Sequence, residues 1–504
     1  MTAFSLEPEQ LAWCAELRTM AARRLRPLAE KGEPGRINRA LVAELGALGL
    51  LPRLFTSGAL DLCLMRESLA HACTEAETAL ALQGLGAHPV HAHGTPAQRA
   101  RWLPRVSDGS AVAAFALSEP GAGSDAAALS LRAERADEGS RPGRTGGAPV
   151  RQASPPDGHG AAHAPRARTG PATGAGPAAR TGPEAGVGPG ADAGAGAGAG
   201  AGPGTGAGAG PGTGAGPEVS TGPATGAGAD ARTGPPAGDG PGADAGPMAG
   251  AAASGAPADL TAAPDGASRW RLTGEKCWIS NAPDADFCTV FARTTPDAGA
   301  RGVTAFLVPA DRPGLTGSRL DMLSPHPIGT LVLDAVPVTA DDVLGVPDGG
   351  FRVAMDTLNL FRPSVGAFAV GMAQAALDAT LGHTARRDAF GGKLKDLQSV
   401  AHEVAEMALR TESARLMVYA AAAAYDAGAA DVPRRAAMAK LLATETAQYV
   451  VDRAVQLHGA RALQRGHLLE HLYREVRAPR IYEGASEVQR GIIAKELYKN
   501  LEVR

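Results

Sequence analysis

The densest group of chemically capable residues lies near the C-terminus, in Arg480-Ile-Tyr-Glu-Gly-Ala-Ser-Glu-Val-Gln-Arg490. One carboxylate, Glu483, stands there on a glycine-containing turn, ahead of a segment with helical signals. Ser486, followed three residues later by Gln489, has the spacing of a capping box, and Val488, Ile492 and Ile493 begin an apolar stripe. A helix is therefore predicted from about Ser486, with Glu483 just outside its positive N-terminal end. In a dry site such a carboxylate serves as a general base; in contact with water it is a solvated surface glutamate.

Histidines offer a second chemistry. His467-Leu-Leu-Glu-His471 fits the H-x-x-E-H pattern of an inverted zinc peptidase and puts His467, Glu470 and His471 on one helix face. That pattern needs a third ligand on a matching helix, and none is evident, so zinc hydrolysis is a remote alternative and no metal is expected. His88, His91 and His93 form another group, in which Pro89 is expected to break the helical register. Phosphate-loop chemistry is excluded, because the glycine-rich stretch has no preceding strand, no following helix and no G-K-[ST].

The elements that must position these residues are bounded by bulk properties. A length of 504 residues suggests about three domains. The net charge of −3, without basic runs, argues against nucleic acid as a partner. The five cysteines, Cys14, Cys63, Cys73, Cys277 and Cys288, are scattered, which suits free thiols in a reducing compartment. The N-terminus lacks the basic and apolar regions of a signal peptide, and no apolar run reaches the roughly eighteen residues of a membrane span. A cytoplasmic protein is the expectation.

Composition shifts at about Asp137 and shifts back at about Asp265. Between them runs a Gly/Ala/Pro/Thr tract with internal copies: Thr169–Gly176 recurs at Thr221–Gly228. A tract so poor in large apolar residues is expected to be disordered. Leu129–Arg135 and Trp270–Thr273 flank it with apolar/polar alternation, so the tract reads as the oversized tip of a hairpin between adjoining strands. Further strands are predicted at Cys288–Arg293, Val303–Val308 and Thr330–Val338. Helix-period spacing fills 7–110 (Leu41, Leu45, Leu48; Leu62, Met65, Leu69), and long Ala-rich helices follow Phe351, with breaks at Gly391-Gly392 and Asp431–Pro433. Helices, then strands, then helices make an α+β chain. The expected organisation is an N-terminal helical domain (1–111), a central antiparallel β domain (112–345, interrupted at about 137–265) and a C-terminal helical bundle (346–504).

Four separated segments together resemble the flavin-dependent acyl-CoA dehydrogenase family. They are Ala116-Leu-Ser-Glu-Pro-Gly-Ala-Gly-Ser-Asp125; Gly274-Glu-Lys-Cys-Trp-Ile-Ser-Asn281; Arg387-Asp-Ala-Phe-Gly391 with Gln398; and Gln456-Leu-His-Gly459 with the Glu483 segment. Their order and spacing match once the tract is removed. The resemblance implies that fold, with a four-helix C-terminal bundle, and FAD as cofactor. It places Phe115, Leu117, Ser118, Gly123 and Ser124 along the flavin and the thioester end of the substrate, and Trp278 and Ser280 against the isoalloxazine. Arg387, with a planar fork suited to pyrophosphate, would reach the FAD of a neighbouring subunit together with Phe390, Gln398 and Gln456–Gly459. A homodimer or homotetramer follows. Ala485 and Glu487 would lie near the adenine half.

The same resemblance implies a mechanism: Glu483 abstracts the α-proton of an acyl thioester while a β-hydride passes to the flavin. Ser124, Arg362, Tyr482 and Gly484 would shape the substrate pocket. Some members carry the base immediately before the arginine equivalent to Arg362; here that residue is Phe361, which cannot take a proton. Two departures stand out: Gly459-Ala460-Arg461-Ala462 where many relatives have Gly-Gly-x-Gly, and Ala485 in place of a common threonine. The implied substrate is acyl-CoA or an acyl-carrier-protein thioester, and the implied acceptor an electron-transfer flavoprotein. An acyl-CoA oxidase or other flavin oxidase of the same fold is the alternative.

Overall fold

The computed structural model describes residues 6–136 and 269–502. The Gly/Ala/Pro tract, and with it the expectation of disorder there, lies outside the described residues. The N-terminal part is helical: α1 (Pro8–Met20) runs through a π-turn into α2 (Arg26–Ala29), followed by α3 (Arg39–Ala47), α4 (Leu50–Thr56), α5 (Ala59–Ala72), α6 (Thr74–His93) and α7 (Pro96–Ser107). The predicted spacing holds, since Leu41, Leu45, Leu62, Met65 and Leu69 are all buried. Helix α6 does not break at Pro89 as expected. A proline removes one backbone donor, and tight packing of both helical faces outweighs that loss.

Among the described residues, eight strands form one sheet: β1 (Ala113–Ala116), β2 (Arg132–Arg135), β3 (Arg269–Ser280), β4 (Phe287–Arg293), β5 (Val303–Pro309), β6 (Leu315–Arg319), β7 (Ile328–Thr339) and β8 (Val343–Leu344). Their order is β6-β7-β3-β2-β4-β5-β8, with β1 beside β4. The flanking strands of the tract do adjoin: β2 pairs antiparallel with β3, Arg135 opposite Trp270. The sheet is mixed, however, not antiparallel as expected. Strand β1 runs parallel to β4, Ala113 opposite Phe287, and β2 touches β4 in the same sense. Parallel neighbours need a long crossover, which the intervening chain supplies.

Strand β4 is buried on both faces. Phe287 and Phe291 face Trp102, Val106 and Leu358 on the helical side, while Cys288, Val290 and Ala292 face Trp270, Phe306 and Val336. This explains its unbroken apolar run.

Four long helices complete the chain: α8 (Gly350–Arg386), α9 (Gln398–Asp426), α10 (Val432–His458) and, after the short α11 (Leu468–Glu475), α12 (Ser486–Glu502). A hairpin of β9 (Asp388–Ala389) and β10 (Gly392–Lys393) separates α8 from α9. Helices α5 and α8 approach closely, and a Cβ on Gly371 would collide with the Glu67 carbonyl. Contrary to the sequence reading, α8 is long and apolar enough to cross a membrane; 72% of its most apolar window is buried inside the fold, and that packing accounts for its composition. All five cysteines are free thiols.

Candidate active site

Glu483 occupies a turn that its own backbone disfavours, at φ +51°, followed by Gly484 at +95°. A side chain on Gly484 would strike the Gln489 amide, so glycine is required there. Three side chains pin the turn through its carbonyls. Arg362 Nε donates to the Glu483 carbonyl (3.2 Å), Lys440 Nζ to that of Gly484 (2.7 Å), and Gln489 Nε2 to both (3.1 and 2.9 Å). Helix α12 begins where predicted, but Ser486 and Gln489 form no capping box. Ser486 is the first helical residue, and its hydroxyl donates to Glu445, while Gln489 reaches back to the turn. The turn needs donors for its exposed carbonyls more than the helix needs a cap.

The Glu483 carboxylate itself makes no hydrogen bond among the described residues, and its Oε2 is buried without a partner. Desolvation raises its pKa above the usual carboxylate value, opposed by the charges of Arg66, Lys440 and Arg362. Burial also draws the Lys440 ammonium down to about 8. Tyr482 keeps 36% of its surface accessible, yet burial and the charges of Glu77, Glu483 and Glu475 push its phenol up. Arg362 is buried on α8, directly after Phe361.

A second cluster joins the segments around Leu117 and Trp278. Lys276, wholly buried, donates to the Leu117 carbonyl (3.0 Å) and to Glu119 (2.8 Å), and the Cys277 N–H donates to the Ser118 carbonyl (3.0 Å). Glu119 also accepts from the N–H groups of Ser130 and Leu131. Strand β3 is irregular between Lys276 and Ile279, and there Trp278 adopts φ +56° and is 49% exposed. Phe115, Ser118 and Ser280 are half-buried, Leu117 is buried, and Gly123 and Ser124 are exposed, with open space where a Gly123 Cβ would lie. An outward-facing indole beside small, open backbone positions fits a planar ring ligand.

The third group lies at the far ends of α8 and α10. Arg387, Phe390 (90% exposed, at the hairpin tip), Gln398, Gln456 and Gly459 are all solvent-facing. Stacking of His383 on His458, 4.2 Å apart, joins the two helix ends. No hydrogen bond among the described residues links this group to the other two. Ala485 is half-buried behind the Glu483 turn, and Glu487 is exposed.

The zinc-like pattern is spent otherwise. His467 accepts the Leu469 N–H at the start of α11, Glu470 pairs with Arg465 and Arg474, and His471 meets Thr74. Sequence reasoning missed Arg66, Glu77, Lys440, Lys276 and Glu119. The one available signal was charge inside apolar runs, as in Leu62-Cys-Leu-Met-Arg-Glu-Ser-Leu69.

Family models for the N-terminal, middle and C-terminal domains of acyl-CoA dehydrogenases match residues 7–110, 245–336 and 348–498. The chain belongs to the acyl-CoA dehydrogenase family. A probable acyl-CoA dehydrogenase of Mycobacterium tuberculosis is 36% identical over 251 residues, 49% of this chain and 64% of that protein. The mitochondrial short-chain specific acyl-CoA dehydrogenase of Bos taurus is 40% identical over 246 residues, 48% of this chain and 59% of that protein. The matched stretch thus spans less than two thirds of either relative. Among solved structures, butyryl-CoA dehydrogenase from Megasphaera elsdenii shares the acyl-CoA dehydrogenase fold at TM-score 0.68 and 23% identity, covering 98% of this chain and 99% of that one. A glutaryl-coenzyme A dehydrogenase in complex with glutaryl-CoA does so at TM-score 0.68 and 24% identity, covering 99% and 97%.

Proposed function

We propose that this chain catalyses FAD-dependent α,β-dehydrogenation of an acyl thioester, acyl-CoA to trans-2-enoyl-CoA, with Glu483 as the α-proton base. The observation that carries this reading is the Glu483 carboxylate: half-buried with its Oε2 occluded, free of hydrogen bonds among the described residues, and held on a strained turn whose carbonyls are pinned from α8, α10 and α12. A base without competing donors, its pKa raised by burial, is matched to a weakly acidic carbon. Arg362, Lys440 and Arg66 supply positive charge around the base without neutralising it by contact. Among the described residues the Glu483 N–H has no acceptor, which leaves it available to the thioester oxygen. Phe361 offers no rival proton acceptor.

FAD, when bound, supplies the acceptor for the β-hydride. Phe115, Leu117, Ser118, Gly123, Ser124, Trp278 and Ser280 would hold its ring. Arg387, Phe390, Gln398, Gln456 and Gly459, solvent-facing in the single chain, would hold the FAD of a neighbouring subunit in a homodimer or homotetramer, with Ala485 and Glu487 near the adenine. Ser124, Tyr482, Gly484 and Arg362 would line the substrate, a CoA or carrier-protein thioester, and an electron-transfer flavoprotein would take the electrons onward.

Glu483→Gln should leave FAD content unchanged and slow flavin reduction by acyl-CoA by at least about a hundredfold. Anaerobic stopped-flow spectroscopy reads the result, and reduction at the normal rate would remove Glu483 from the role. Admitting oxygen to the reduced protein separates a dehydrogenase, reoxidised slowly, from an oxidase.

A further inference from the structure

We propose that Glu445 is a positioning residue for the reaction: its carboxylate clasps Arg480 and Ser486, the residues three before and three after Glu483, and so fixes where the base stands. The inference rests on the reading of Glu483 as the α-proton base.

The Glu483 turn does not support itself. Among the described residues the N–H groups of Glu483, Gly484 and Ala485 donate to no acceptor. A residue with a β-carbon in the left-handed region, as Glu483 is at φ +51°, persists only where its surroundings over-determine it. Arg362, Lys440 and Gln489 hold the crest of the turn through its carbonyls. None of them joins its two ends.

Glu445 does. It lies half-buried on α10, five residues beyond Lys440. The Arg480 guanidinium meets it with two nitrogens, Nε on Oε1 at 3.0 Å and Nη2 on Oε2 at 2.8 Å. The Ser486 hydroxyl donates to the same Oε1 at 2.5 Å. One oxygen thus receives both ends of the turn, and α10 holds crest and ends together. Charge-assisted contact at two points fixes orientation as well as distance. Among the described residues the Glu445 side chain has no other hydrogen-bond or ion-pair partner, so it serves this turn alone. Burial opposes its charge, but the Ser486 and Arg480 contacts outweigh burial and keep its carboxyl below the usual carboxylate value. The clasp therefore stays ionised where the raised Glu483 carboxyl takes up its proton.

The test uses the FAD-loaded full chain and anaerobic flavin reduction by butyryl-CoA and octanoyl-CoA. Glu445→Gln keeps the length of the side chain and removes its charge; Glu445→Asp keeps the charge and shortens the reach. Each should slow reduction at saturating thioester by about tenfold or more, with FAD content and the half-saturating concentration unchanged within about twofold. Ser486→Ala or Arg480→Gln opens one end only and should cost less, about threefold. Adding Glu445→Gln to the Ser486→Ala/Arg480→Gln pair should slow reduction no further, because Glu445 then has nothing to hold. Wild-type rates in both Glu445 variants would overturn the proposal, as would a further tenfold loss in the triple variant. Should the Glu445 variants fail to fold, wild-type rates in both single end variants would overturn it instead. A second readout does not depend on turnover: the pH midpoint of the Glu483 carboxyl, taken as the infrared difference between each chain and its Glu483→Gln counterpart. In Glu445→Asp it should fall by about half a unit or more, as the loosened turn admits water around the base. An unshifted midpoint there counts against Glu445 even if neither thioester reduces the flavin. Normal reduction in Glu483→Gln removes the base itself, whereas slow reduction there beside wild-type rates in the Glu445 variants removes Glu445 alone.

Discussion

Glu483 is a carboxylate that the fold holds in a disfavoured state, and its titration should show it. Because burial raises its pKa from 4.5, flavin reduction should fall on acidification at a pH above the ordinary carboxylate range. The sign for stability follows from proton linkage. Between 4.5 and the raised value the folded chain binds the proton that the unfolded chain has released, so this group's contribution to stability declines as pH rises through that window. Glu483→Gln should therefore melt higher than the wild type at neutral pH, with the gap closing below pH 4.5. A wild type more stable than the variant at pH 7 would mean that Arg66, Lys440 and Arg362 outweigh desolvation. Lys440→Met addresses positioning directly, since it deletes the donor to the Gly484 carbonyl. Flavin reduction should slow by about tenfold or more with FAD content unchanged, because small displacements of a base are costly. At this scale the sequence revealed Glu483 but not its keepers. Arg362 and Lys440 lie tens to more than a hundred residues away, and only tertiary packing brings them to one turn.

The element scale turns on how two legible motifs are tied together. Leu117–Asp125 and Gly274–Asn281 stand out as strings, yet the clamp between them, buried Lys276 on Glu119 and the Leu117 carbonyl, crosses strands that are remote in sequence. Lys276→Met leaves Glu119 buried without its cation and should cost about 3–5 kcal/mol in urea unfolding. It should also loosen FAD, read as faster flavin loss on dilution. A double change of Lys276 and Glu119 to apolar residues should recover much of the stability; no recovery would mean that the pair is not the unit that fails. Long periodic elements were readable because burial imposes their spacing. Strands β1, β6 and β8 were not, having five residues or fewer and no alternation to set them apart. Pro89 and the Ser486/Gln489 pair misled for one reason: a local rule gave way to the packing around it. The parallel pairing of β1 with β4 was equally invisible, because strand direction depends on topology and not on pattern.

For the whole molecule, the decisive feature is where β2 and β3 end. Arg135 stands opposite Trp270, and the Ala136 N–H donates to the Arg269 carbonyl at 3.0 Å, so the two strands meet as an ordinary hairpin would. Residues 137–268 leave and return at adjacent points of one ladder, so the sheet does not need them to set its register. Loop closure grows only with the logarithm of length, so shortening this connection should change stability by no more than a few kcal/mol, in the favourable direction. Replacing residues 137–268 with Asn-Gly, the pair suited to a two-residue hairpin turn, supplies the backbone geometry that closure requires. The shortened chain should fold, bind FAD in the same amount and reduce it with any active thioester at a rate within about twofold of the full chain. Thermal unfolding, flavin absorbance and stopped-flow reduction measure the three outcomes. A shortened chain that folds but loses FAD would assign the removed residues to the cofactor site, and one that fails to fold would make them part of the core.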